Sequence, residues 1–556
     1  MNKPKLLQII KYTGIWSMPV IMVIGTIILS LIQESKNISI QELGLLFLLS
    51  IGVTIYIWNK NDLQMRNGKR LSDIKVSDAF NTMPTAFDSD DGKKQFMYPE
   101  IASEMLFNNP FDCFYCIGKT GSKGHEQYVG IPYNVKGAKH ILITGQTGAG
   151  KSATQITNNL LNFMYQSMYG NKVNSLVLDP KGELYELTGK MNPNAIAINP
   201  FDRVNGYGFN PFCDVTEKTT NQELYDLAYI VTISLIPKPS AKSHDSGPWI
   251  SLAQDMLLGF IIYSLRYKKI INLPDVIKYM LSRPMEELIE EVCDTLPIND
   301  NAYMSLIQFK GMSPETLYSV TATLFPKIKQ FATDQNLVYT LAVNKRMFKM
   351  SDLLTKSVYI VIPLDKIQQW GQLIYLIINL FSLWLFSLDE KSNAPERAEI
   401  CMVLDETTAI FQALGNVPEQ YPQLLRYGRS FGFTCITAVQ SLAGLKTVLD
   451  DASVDDLLSN MPYKIFLDCS TESKMLIDWV GKYPRKHVTY NGVGKNKTTS
   501  ITFSDDDILS PSDAQKLGLS DELICISSLS GYSRIKKNPW YQDKNYLRLV
   551  NTYKRL

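Results

Sequence analysis

Eight residues, Gly145-Gln146-Thr147-Gly148-Ala149-Gly150-Lys151-Ser152, constrain this chain more than any other stretch. They follow an apolar run, His140-Ile141-Leu142-Ile143-Thr144, that reads as a short strand, and they lead into a helical pattern through about Tyr165. Strand, glycine-rich loop and helix in that order form the P-loop, in which backbone N–H groups and a helix amino terminus face the phosphates of a nucleotide. Gly145 and Gly150 let the loop bend. Gln146, Thr147, Gly148 and Ala149 supply N–H groups, Lys151 reaches the terminal phosphates, and Ser152 is placed to hold Mg2+. A chain with this loop is expected to build an α/β domain whose site lies at the carboxyl edge of a mostly parallel, doubly wound sheet.

A second apolar run, Ile400 to Leu404, ends in Asp405-Glu406. Once a P-loop is present, this reads as its partner element. Asp405 serves the Mg2+ shell, and Glu406 orients and deprotonates the attacking water. Phe433 to Val439 is a third apolar run and ends at Gln440, an amide able to sense the γ-phosphate or the water. Upstream lies Arg426-Tyr427-Gly428-Arg429. Arg429 is the candidate arginine finger, supplied to a neighbouring subunit's ATP, and Arg426 competes for the role. Val173 to Leu178 runs into Asp179-Pro180-Lys181-Gly182-Glu183, which puts Asp179 at the nucleotide site, and Lys464 to Leu467 runs into Asp468.

Two runs near the amino terminus point to a bilayer. Tyr12 to Ile32 holds no charged side chain, and spanning takes about 20 helical residues. Leu43 to Trp58 is a shorter uncharged run that Lys60 can complete by snorkelling. Lys3, Lys5 and Lys11 precede the pair, and Lys60, Arg66, Lys69 and Arg70 follow it. The positive-inside rule then places both ends in the cytoplasm. A later apolar run, Leu373 to Leu388, is read instead as a buried helix, because a crossing there would separate Asp405 from the P-loop.

Composition excludes some classes. Net charge is +2 over 556 residues, so no overall basic field exists and any nucleic-acid binding needs a local patch or a channel. Eight cysteines, scattered apart from Cys113 and Cys116, make no disulfide framework and suit a reducing cytoplasm. Cys113-Phe114-Tyr115-Cys116 lacks a second pair for zinc and reads as two packed cysteines. Arg534, Lys536, Lys537 and Lys544 read as a solvated face.

Taken together, the amino-terminal hairpin, the P-loop, Leu178 to Glu183, Phe209-Asn210-Pro211-Phe212, Ser246-Gly247-Pro248-Trp249, Val403 to Glu406, Arg429 to Gln440, and the stretch around Gly531 and Trp540-Tyr541 resemble the type IV secretion coupling proteins, the TraG-like ATPases of bacterial conjugation. The resemblance implies a RecA-like motor with an inserted all-α domain, ATP and Mg2+ as ligands, and a ring, expected as a hexamer. The implied partners are single-stranded DNA carrying a relaxase, or an effector protein, together with type IV secretion channel components and the lipid bilayer. The expected domains are a transmembrane hairpin over 1–70, a first part of the nucleotide-binding domain over 71–216, the all-α insert over 217–344 and a second nucleotide-binding part over 345–556. An FtsK-like double-stranded DNA translocase is the alternative. It is disfavoured by the inserted helical region and by the lack of a long linker or winged-helix tail. A transporter of the ABC type would need a Leu-Ser-Gly-Gly-Gln-like run, and the chain has none.

Overall fold

The structure is a computed structural model that describes residues 101–553, apart from 123, 136, 171–172, 239–246, 343–345, 470–471 and 492–497, and apart from the side chains of 484–503. The expected membrane hairpin therefore lies outside the described residues.

Strands β1 (Leu106–Phe107), β2 (Tyr115–Thr120), β3 (Gln127–Ile131), β4 (Ile141–Thr144), β5 (Val173–Leu178) and β6 (Ala195–Ile198) come first. Then follow β7 (Gly208–Phe209), β8 (Met347–Phe348), β9 (Ser357–Ile360), β10 (Glu399–Leu404), β11 (Phe433–Val439) and β12 (Tyr463–Phe466). The last four are β13 (Lys482–Asn491), β14 (Thr498–Asp507), β15 (Glu522–Ser527) and β16 (Gly531–Lys536). Twelve of these form one sheet in the order β1-β3-β2-β16-β15-β12-β4-β11-β10-β5-β9-β6. The block from β12 to β6 is wholly parallel. From β12 outward through β15, β16, β2, β3 and β1 every pairing is antiparallel. The fold is thus α/β with a large, mostly parallel sheet that carries an antiparallel wing.

Apolar patterning accounts for the parallel block. Along β10, Ile400, Met402 and Leu404 enter one core, while Cys401 and Val403 enter the core on the opposite face. A strand covered on both faces needs apolar residues at every position, which is why these runs are continuous rather than alternating. One face is covered by α1 (Thr157–Tyr169), which follows directly from the P-loop. The other is covered by α2 (Asn221–Leu235), α3 (Gly247–Arg266) and α4 (Leu364–Phe386). Among the described residues the stretch from Asn221 to Leu341 holds helices and no strand, and its buried side chains join the core on that second face.

Two of these helices, α3 and α4, are long and apolar enough to cross a membrane by length and composition alone. In the folded chain 67% of the apolar window of α3 and 72% of that of α4 are buried, as core helices require. Trp370, Leu373, Ile377 and Phe381 of α4 are essentially inaccessible.

Candidate nucleotide site

Strand register brings the motifs together. Thr144 of β4 lies opposite Val439 of β11 and Phe466 of β12, and Leu404 of β10 lies opposite Thr437 of β11 and Leu178 of β5. The strands therefore end on one edge, and the next residues there are Gly145, Gln440, Asp405 and Asp179. Asp468, which follows β12 at one remove, borders the same edge, its N–H close to Gly145.

The loop needs glycine for two different reasons. Gly148 and Gly150 adopt left-handed backbone, with φ of 87° and 95°, which a side chain disfavours. Gly145 is required for space, since a Cβ there would stand 3.2 Å from the Cβ atoms of Ala149 and Leu467. Gln146, Thr147 and Gly148 form the exposed crest of the loop. Lys151 is buried and donates to Gly145 O at 2.5 Å and to Gln146 O at 3.4 Å. Burial lowers its pKa, while the charges of Glu406 and Asp405 act in the opposite direction. Ser152 is half-buried on the next turn.

Asp405 is 3% exposed. Burial, then the negative charge of Glu406, pushes its carboxyl up to about 6, against the pull of Lys181 and Lys151. Glu406 has left-handed backbone, φ 56° and ψ 39°, at the start of the helix α5 (Thr407–Leu414). Such a conformation in a non-glycine residue persists only where its surroundings hold it, and it marks functional positions. Both its carboxylate oxygens are engaged. Gln440 Nε2 donates to Oε2 at 2.8 Å, and Lys181 Nζ donates to Oε1 at 3.0 Å. Burial favours the neutral acid, but these two hydrogen bonds and the charges of Lys181 and Lys151 outweigh it and hold Glu406 below the usual carboxylate range. Lys181 is correspondingly raised: burial works against its charge, and Glu406 more than compensates.

Gly145 through Ser152, Asp405, Glu406 and Gln440 thus meet on one edge. Asp179 follows β5 on the same edge, and its Oδ1 is buried without a hydrogen-bond partner among the described residues. It is fully buried, and its Oδ2 accepts the Tyr185 N–H at 2.8 Å, so the carboxylate braces the turn that carries Lys181. Burial raises its pKa. Lys181 was missed as a site residue by motif reading, although its position in the Asp-Pro-Lys-Gly-Glu run after a buried strand was available as a signal.

Arg429 is exposed in the turn before β11, at the amino edge of the sheet, where Lys391 N–H donates to Ser430 O at 2.7 Å. The seven residues of β11 separate it from Gln440 by about 20 Å, so it cannot serve the site of its own chain. Arg426 forms an ion pair with Asp456 at 2.8 Å. No group of three or more acidic, histidine or cysteine side chains suited to a metal occurs among the described residues, and Cys113 and Cys116 are buried free thiols. Of the carboxyl-terminal cations Lys544 is exposed, and the other three have partners. Arg534 lies 3.6 Å from Glu522, Lys536 donates to Gly121 O, and Lys537 donates to Leu467 O and Ser520 O.

Residues 115–556 match the family described as type IV secretory system conjugative DNA transfer. The chain belongs to that family. A search of curated proteins finds no match. Among solved structures the chain is similar to the bacterial conjugative coupling protein TrwBΔN70 in its unbound monoclinic form, with 16% identity, 72% of this chain and 84% of that one covered, and a TM-score of 0.52. It is also similar to TrwB in complex with the non-hydrolysable ATP analogue ADPNP (14% identity, 82% and 93% covered, TM-score 0.54). A third similar structure is TrwB with ADP and Mg2+ (15% identity, 72% and 85% covered, TM-score 0.51). At these identities the likeness establishes a shared fold.

Proposed function

We propose that this family member is a membrane-anchored, Mg2+-dependent ATPase. It recruits a relaxase–single-stranded DNA complex, or an effector protein, to a type IV secretion channel and drives its transfer by ATP hydrolysis. The observation that carries the reading is the convergence of Lys151, Asp405 and Glu406 on one sheet edge, with Gln440 bonded to Glu406. The ligands named for the TrwB structures, an ATP analogue and ADP with Mg2+, support it.

Gly145, Gln146, Thr147, Gly148, Ala149 and Gly150 wrap the phosphates with their N–H groups, and Lys151 gives up its loop carbonyls to pair with the terminal phosphates. Ser152 and Asp405 hold Mg2+, which supplies charge neutralisation on the phosphates. Glu406 takes a proton from the attacking water, and Gln440 fixes the carboxylate that does so. Asp179, at the end of β5, borders the nucleotide and braces its turn through Oδ2. Arg429 completes a neighbour's site in a ring, expected as a hexamer; the ion pair that occupies Arg426 supports this choice over Arg426. Residues 1–70 anchor the chain with two helices and leave its bulk in the cytoplasm. The insert 217–344 divides the motor parts 71–216 and 345–556 and meets the transfer substrate.

Purified Glu406→Gln protein should bind ATP as the wild type does while turnover falls at least about a hundredfold. Wild-type turnover in that variant would remove the catalytic assignment. Mixing Arg429→Ala with Lys151→Ala subunits should restore part of the activity if Arg429 acts across a subunit boundary, and no recovery would count against it. Stimulation by single-stranded over double-stranded DNA at a stated salt concentration separates this reading from an FtsK-like translocase. Deleting the gene should abolish transfer of a marked conjugative element.

A further inference from the structure

We infer that Lys181 is a positioning residue that holds the Glu406 carboxylate away from Lys151, so that Lys151 remains available to phosphate. The inference rests on the ATPase reading above.

Sheet order supplies the geometry. Across the site the strands run β4, β11, β10, β5. Lys151 belongs to the loop after β4, Gln440 to the end of β11, Glu406 to the end of β10, and Lys181 to the turn after β5. Glu406 is therefore bonded on both sides, to Gln440 at 2.8 Å on the side nearer the P-loop and to Lys181 at 3.0 Å on the side farther from it. Lys151 meanwhile spends its ammonium on two neutral carbonyls.

The charges explain why a restraint is needed. Glu406 and Lys151 are both nearly inaccessible, at 6% exposure each. Opposite charges in such surroundings attract far more strongly than in water. Asp179 spends Oδ2 on the Tyr185 N–H, and the backbone N–H groups of its own turn surround the carboxylate. Without Lys181, the cation left for Glu406 would be Lys151, and a Lys151–Glu406 pair would occupy both the phosphate ligand and the general base. The Lys181 side chain is 36% exposed, so its charge is kept at lower desolvation cost than that of Lys151. The left-handed backbone of Glu406 is the strained element that this bond and the Gln440 bond hold.

The test measures binding of the non-hydrolysable analogue ADPNP with Mg2+ to the full-length protein by calorimetry, alongside steady-state ATP turnover. Lys181→Ala should weaken the analogue about tenfold and lower kcat, whereas Lys181→Arg should keep near-normal affinity. The deciding variant is the double, Lys181→Ala with Glu406→Gln. Once no carboxylate is there to capture Lys151, affinity should return to that of Glu406→Gln alone. If the double stays as weak as Lys181→Ala, Lys181 itself touches phosphate or supports the fold, and the inference is overturned. Unchanged affinity in Lys181→Ala overturns it as well. Lys181→Met, which keeps the aliphatic stem, replaces Lys181→Ala in the same cycle should the alanine variant not fold. Absence of analogue binding by the wild type would sink the ATPase reading, and this inference with it; wild-type binding with an unaffected Lys181→Ala sinks only this one.

Discussion

His140 stands at the start of β4 with no solvent exposure, and its Nδ1 accepts the Cys435 N–H at 2.9 Å. Burial pushes its pKa down to about 4. In the unfolded chain an imidazole takes its proton near 6.5. Folding stability tied to His140 is therefore fully present above about pH 6.5, falls as the pH drops, and is lost by about pH 4, a change of about 3 kcal/mol. Urea midpoints for wild type and His140→Gln measured from pH 7.5 to pH 4.5 should converge on acidification; parallel curves would contradict the assignment. At the same scale, the places of Lys151 and Ser152 in the fold were legible because local grammar defines them. Strand, glycine spacing and helix start all lie within a dozen or so consecutive residues. The contact of Lys181 with Glu406 was not legible, because the two lie 225 positions apart and only the pairing of β5 with β10 brings them together.

Helix α1 and the turn before it carry a stripe that periodicity alone does not interpret. Gln155, Asn158, Asn159, Asn162 and Gln166 are all buried, at helical spacing. They bind main-chain groups of the antiparallel wing and its approach: Gln155 to Ile117 O, Asn159 to both Cys116 N–H and Cys116 O, and Asn162 to Cys113 O. Buried polar side chains here replace the strand neighbours that the segment 113–117 lacks on this side. Asn159→Leu removes both bonds to Cys116 and leaves its N–H and carbonyl buried and unpaired, which should cost about 2–4 kcal/mol in chemical denaturation. A loss under 0.5 kcal/mol would mean that the wing relaxes to find water. The parallel strands were readable because two-sided burial makes them continuously apolar. Val173–Leu178 and Phe433–Val439 were expected with those bounds. The wing was not readable. Its strand β1 has two residues, and β2 meets β16 across more than four hundred positions of sequence.

For the molecule as a whole, Asp543 ties the carboxyl-terminal helix to the antiparallel wing. Its side chain is fully buried. It pairs with Lys119 of β2 at 2.7 Å, accepts the Tyr128 hydroxyl of β3 at 2.8 Å, and caps the helix Lys544–Tyr553 by accepting the Asn545 and Tyr546 N–H groups. Asp543→Ala leaves the Tyr128 hydroxyl and the first N–H groups of the helix without their acceptor and removes the pair with the partly exposed Lys119, which should cost about 1–3 kcal/mol. Limited proteolysis should then cut between β1 and β3 at protease levels the wild type survives. Equal resistance would show that the helix stays docked through its apolar contacts with Phe111 and Met164 alone.

One strand links the two rims of the sheet. β11 pairs with β10 over Phe433–Thr437 and with β4 over Ile436–Val439, so each of its residues has a strand neighbour on at least one side. Gln440 stands at one tip and Arg429 beside the other. The amide that touches Glu406 and the exposed arginine therefore lie on opposite rims of the sheet, joined by one strand and a short turn. A single unbroken run of seven buried residues thus fixes the separation between the two rims.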